Sequence, residues 1–286
     1  MKKFCTFCLV MLAAVVSFTS CEKTIEPDPT APGRVIFTQT TTQLMTPITV
    51  LDLAVAFNEY YMAPTDRMRE ELEDKYFSDF KIRFDTESGI WRLERNNIPV
   101  VRFKMEGGKS LNEEGGKWHF YPGRYEFSGN SAISVEYKAD GVYGVNFNNL
   151  PSYGYNNELV LSGNLEMTPS NRTTVFIRGS FSFASTTDLY KVSVQTYDEG
   201  LTLDISPSIY PTDINWYNNN RRIPVRGEWG ATVQSSTADK FDFNSLTDSI
   251  WRITYTTADG NKYMGNCNSS GQKLSYIDVQ QWERYY

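Results

Sequence analysis

The sequence predicts a mainly β protein: an antiparallel meander forming a curved sheet, a sandwich or a partly closed barrel, with one or two N-terminal helices. Three observations carry that prediction. From Lys81 onward apolar side chains recur at every second residue, turn-forming pairs separate those runs, and helical spacing is confined to residues before Phe80. Successive side chains of a strand point to opposite faces, so such alternation marks a sheet with one buried and one wet face.

In chain order, Met1-Lys2-Lys3 is a short basic start, and Phe4 to Phe18 is an apolar run too short to span a bilayer but suited to export. The run ends in Phe18-Thr19-Ser20-Cys21, which resembles the bacterial lipobox. The resemblance implies that residues 1–20 are a signal peptide and that Cys21 is acylated on its thiol and on its new amino group. More than one acyl chain is what makes such an anchor firm. Residues 21–33 then read as a lipidated, acidic, Pro-rich tether, about 35–40 Å long if extended. Position 22 is Glu rather than the Asp associated with inner-membrane retention, and Glu22, Glu26 and Asp28 resemble the acidic signals of surface-exported lipoproteins. The implied address is the outer membrane, on its cell-surface face.

Residues 34–286 are the folded domain in this reading, with two smaller β units split near 150–157 or 207–224 as the alternative. Thr46-Pro47 reads as an N-cap and first helical residue, giving a helix over about 47–62. Ile48, Leu51, Val55 and Met62 share one face, and Val50, Leu53, Phe57 and Tyr60 widen it, so this helix is largely buried. After Ala63-Pro64 a second helix over about 65–77 carries a narrow stripe of Met68, Leu72 and Tyr76. Its acidic run, Glu70, Glu71, Glu73 and Asp74, is a solvated face.

The strands follow. Ile82/Phe84, Val101/Phe103/Met105, Ile133/Val135/Tyr137, Tyr143/Val145/Phe147, Leu201/Leu203/Ile205 and Trp251/Ile253/Tyr255 alternate with polar neighbours. Asp140-Gly141, Glu199-Gly200 and Asp259-Gly260 are among the turns between them. Leu159–Met167 and Val175–Phe183 read as a hairpin about Asn171 that sets Gly163 opposite Gly179. Such a notch would give room for a crossing helix, expected to be the buried N-terminal one, or a sharp bend as the sheet curls toward a barrel. Phe127-Ser128-Gly129, Leu161-Ser162-Gly163, Ile177-Arg178-Gly179 and Val225-Arg226-Gly227 repeat one triplet, and Ile90-Trp91-Arg92-Leu93 echoes Ile250-Trp251-Arg252-Ile253.

Several chemistries are excluded. A net charge of −6 without clustered Lys/Arg argues against nucleic acid as a partner. His119 is the single histidine, so H-E-x-x-H zinc chemistry has no ligand set and any Ser-His or Cys-His catalysis would have to use that one residue. Gly107-Gly108-Lys109-Ser110 imitates the end of a phosphate loop, but Phe103 stands where the first glycine belongs. No catalytic residue, metal or cofactor is assigned. Cys5 and Cys8 fall in the signal, and Cys267, left without a disulfide partner, reads as a small buried filler.

Binding chemistry concentrates in two irregular stretches. Ser206–Pro224 carries Tyr210, Trp216, Tyr217, Asn218 and Arg221, with Arg222 beside them; Leu150–Asn157 carries Tyr153 and Tyr155. Flat aromatics stack on sugar rings or peptide, and Asn and Arg add directional hydrogen bonds; the two stretches form one surface if they leave the sheet at the same end. Trp216 plugging the end of the core is the structural alternative. The expected function is a non-catalytic, lipid-anchored envelope protein that binds a glycan or protein partner, held to the membrane through Cys21. Two alternatives stand beside it. One is a structural or adhesive subunit with a naked edge near Trp282–Tyr286; the other is a carboxylate-dependent hydrolase, which needs only two acids roughly 5–10 Å apart.

Overall fold

The computed structural model describes residues 28–78, 80–122, 133–151, 159–170, 173–185, 191–205, 222–234, 238–274 and 284–285. Two helices come first. Helix α1, Ala31–Met62, starts after Thr30 with Pro32 in its first turn, and Pro47 lies inside it rather than at its start. The expected beginning at residue 47 is therefore corrected. An internal proline removes one backbone hydrogen bond and disfavours a helix by about 3 kcal/mol. Burial outweighs that here, because Leu44, Pro47, Ile48 and Leu51 are all buried. The threonines before Pro47 fit a helix by turning their hydroxyls back: Thr38 donates to Arg34 O, and Thr41 to Phe37 O.

Residues 28–33 belong to the fold instead of ending a tether. Asp28 accepts from the Thr30 backbone N–H, the Thr30 hydroxyl and the Arg34 guanidinium. Burial alone would raise the Asp28 pKa, but these bonds, the Arg34 guanidinium first, hold it below the ordinary carboxylate value. Gly33 then lets the first turn approach the sheet, since a Cβ there would overlap Ile253. Helix α2, Asp66–Phe77, is capped by Thr65, whose side chain accepts from Met68 N. Its acidic face is solvated and laced with Arg67–Glu71 and Arg69–Asp66 pairs.

The sheet begins with β1 Lys81–Asp85, β2 Ile90–Arg95, β3 Ile98–Met105, β4 Lys117–Pro122 and β5 Ile133–Ala139. It continues through β6 Val142–Pro151, β7 Leu159–Ser170, β8 Thr174–Ser185, β9 Lys191–Ile205 and β10 Arg222–Gln234. It ends with β11 Ala238–Thr247, β12 Ile250–Thr256, β13 Lys262–Asn268 and β14 Arg284–Tyr285. All fourteen strands pair antiparallel in chain order, and no pairing joins β1 to β14 among the described residues. The protein is thus mainly β, with one open meander sheet. That sheet runs unbroken from β6 to β7 and from β9 to β10, so it does not divide at either irregular stretch.

One face of the sheet is wrapped on α1. Near one end of the helix, Phe37 meets Trp229, Trp251 and Phe243 at ring separations of 5.5, 5.5 and 5.6 Å. Near the other, Phe57 meets Phe103, Trp91 and Trp118 at 4.4, 5.1 and 5.9 Å. The two anchors lie about 30 Å apart along the axis. The Ile-Trp-Arg echo therefore marks two equivalent tasks: Trp91 and Trp251 close the opposite aromatic clusters. Two polar ties lock the helix further. Asp52 takes the Arg222 guanidinium at 2.9 and 2.8 Å, and Asn58 accepts from Leu111 N at 2.8 Å while donating to Asn112 Oδ1.

Glycines let the sheet bend. In the β7–β8 hairpin Gly163 faces Phe181 and Gly179 faces Leu165, two residues from the expected pairing. A shift of two keeps every side chain on its own face, which is why the alternation still reads correctly. Each glycine is covered by its cross-strand neighbour, and α1 runs closest to β5, β6, β10 and β12, so the expected helix crossing at a glycine notch is corrected. The repeated triplets instead mark irregular pairing. Pairing of β9 with β8 and β10 breaks off near Thr196 and resumes at Leu201. Gly179, Gly200 and Gly227 all have positive φ beside this excursion.

Candidate functional site

Because α1 fills the concave side, space for a ligand lies on the outer face of the sheet. Strands β7 to β11 place alternate residues outward in two cross-strand rows. One row reads Ser162, Ser182, Ser193, Thr232 and Lys240; the other reads Asn164, Ser180, Gln195, Gly230 and Asp242. Their inward neighbours Phe181, Val194, Ala231 and Phe241 are buried in the core. Strands lie about 4.8 Å apart, so each row crosses roughly 19 Å of surface. The outward side chains are mostly short, and the surface sinks there into an open groove of ≈ 390 Å³, with Lys191 on its lining beside the rows.

Tyr197 shapes the groove. It stands in the β9 excursion and lies over Gly230, where a Cβ would overlap its hydroxyl. That hydroxyl donates to Asp242 Oδ1 at 2.5 Å. Burial first, then the Asp242 bond and the charges of Asp242 and Glu228, drive the phenol pKa far above its ordinary value. Tyr197 is therefore a fixed neutral donor, and 37% of its surface remains exposed. Gly230 is required: only a residue without a side chain leaves room for the ring to cross β10 and reach β11.

This arrangement supplies in-register hydroxyl and amide groups, one exposed aromatic and two ammonium groups. It can hydrogen-bond and stack. His119 is elsewhere, on β4, with its Nε2 3.5 Å from Glu106 Oε1. Among the described residues no group of three or more His, Cys, Asp or Glu could hold a metal ion. Cys267 is buried, as expected of a small filler, and burial pushes its thiol up to about 12 against the opposing charge of Arg34.

Cys21, Tyr153, Tyr155, Tyr210, Trp216, Tyr217, Asn218 and Arg221 lie outside the described residues. The strands that carry the two aromatic stretches are informative. In an antiparallel meander, β6 ends and β7 begins at one end of the sheet, and β9 ends and β10 begins at the other. Arg222, grouped with the exposed set by its neighbours, is 4% exposed and paired with Asp52. The groove itself escaped the sequence, since its floor is made by register. The one linear trace is the small or polar outward pairs of successive strands: Ser180/Ser182, Ser193/Gln195 and Gly230/Thr232.

No family model, no curated protein and no solved structure matches this chain.

Proposed function

We propose that the protein is a non-catalytic envelope lipoprotein, anchored through lipid on Cys21 in the outer membrane, that binds glycan on the outer face of its sheet. The groove beneath Tyr197 carries the reading. Sugars present hydroxyls around a flat apolar ring face. The groove offers hydroxyl and amide partners at strand spacing with one exposed aromatic ring beside them. A protein partner fits it less well, since its outward side chains Ser162, Ser182, Ser193, Gln195 and Thr232 offer hydrogen bonds and no large apolar anchor for an interface centre. The outer face also carries charged residues such as Lys104, Glu136, Lys138, Glu166 and Arg178, which suit water.

The two other readings find less support. A naked adhesive edge would be apolar, yet the β1 edge carries Lys81, Arg83 and Asp85. A hydrolase would hold a carboxyl of raised pKa in its cleft; the groove's Asp242 is instead committed to Tyr197, and Glu73, which burial and its acidic neighbours raise, sits on α2.

A glycan array tests the binding, using residues 21–286 with Cys21→Ser and the same chain with Ser193→Val and Thr232→Val. Selective binding by the first and its loss in the second are expected. Binding that survives both substitutions would remove the groove from the reading. The anchor has its own test. Labelled palmitate should enter the full chain in an exporting host, and Cys21→Ser should abolish the label; labelling that persists would place the lipid elsewhere.

A further inference from the structure

We infer that the groove selects an acidic glycan, one bearing carboxylate or sulfate groups, with its anionic group held between Lys191 and Lys240. This rests on the glycan reading and narrows it. Lys240 closes the serine–threonine row, paired across from Thr232, while Lys191 stands on β9 two residues before Ser193 and pairs with Gln234. From that register their Cα atoms are about 12 Å apart, one row and two strands, a span that two extended lysine side chains close from both sides of Thr232. Both lysines are exposed and line the groove, and neither joins an ion pair among the described residues.

The groove's carboxylate does not cancel them. Asp242 lies in the neighbouring row and keeps its negative charge while accepting the Tyr197 hydroxyl, so two ammonium groups against one carboxylate leave the lining with one net positive charge. The chain as a whole carries −6, so its overall field repels anions and gives no general attraction to them. Capture of an anion at this place therefore has to come from the local pair. The same charge balance makes the groove discriminating: a neutral sugar uses the hydroxyl floor alone, whereas an acidic one uses the floor and both ammonium groups.

Binding of polygalacturonate, dextran sulfate and neutral dextran to residues 21–286 with Cys21→Ser tests this. A variant with Lys191→Gln and Lys240→Gln and a control with Lys81→Gln and Lys262→Gln, outside the groove, are measured beside it. At least one anionic polymer should bind more tightly than dextran. The groove variant should weaken that binding about fivefold, the effect of two screened ion pairs, and the control should not. Which polymer is preferred tells carboxylate from sulfate. Equal binding of dextran and the anionic polymers, equal loss in groove and control variants, or no binding of either anionic polymer would overturn the inference. The first two leave the glycan reading standing; silence of these polymers together with silence of the array overturns both.

Discussion

Gly230 and Tyr197 show how a single position shapes the outer face. The ring crosses β10 because nothing projects from residue 230, and its hydroxyl ends on Asp242. Gly230→Ala should expel the ring, break that bond and destabilise the protein by about 1–3 kcal/mol, read as a lower urea midpoint. A variant with an unchanged midpoint would show that the ring is not packed over the glycine. Arg222 makes the same point inside the protein. Its side chain is 2% exposed against 15% for Asp52, so removing one partner strands the other in a nearly dry site. Arg222→Met alone should cost about 3–5 kcal/mol, while Arg222→Met with Asp52→Leu should recover most of it. Two independent, additive losses would mean the pair is not coupled.

Among the elements, α1 is the organiser and the one most easily misread. Thr46-Pro47 carries a strong local start signal, and local chemistry cannot report that residues 31–46 gain enough from burial to extend the helix through a proline. The strands were more legible, because a period of two survives any register. Register itself was not: the pleat repeats every two residues, so a shift of two in the β7–β8 hairpin leaves the sequence pattern unchanged. The aromatic anchors give this scale its prediction. Phe37→Ala and Phe57→Ala should each destabilise by about 3–5 kcal/mol in chemical denaturation. Being some 30 Å apart, their effects should add in the double variant. Strong non-additivity would mean that the two clusters fold as one.

In the molecule as a whole, the meander decides which surface is built across several strands. With α1 packed on one face of the sheet, the other stays open, and five strands contribute to the groove there. Its floor draws on residues from Ser162 to Asp242, a span over which sequence spacing carries no information about neighbours. The aromatic stretches were legible because Trp, Tyr and Asn stand together in the chain; the groove's serines are ordinary until register aligns them. Array binding by residues 21–286 with Cys21→Ser therefore bears most directly on the account when Tyr197→Ala and Trp216→Ala are compared. The groove predicts that Tyr197→Ala loses glycan binding and Trp216→Ala keeps it. Binding that depends on Trp216 and ignores Tyr197 would contradict the account.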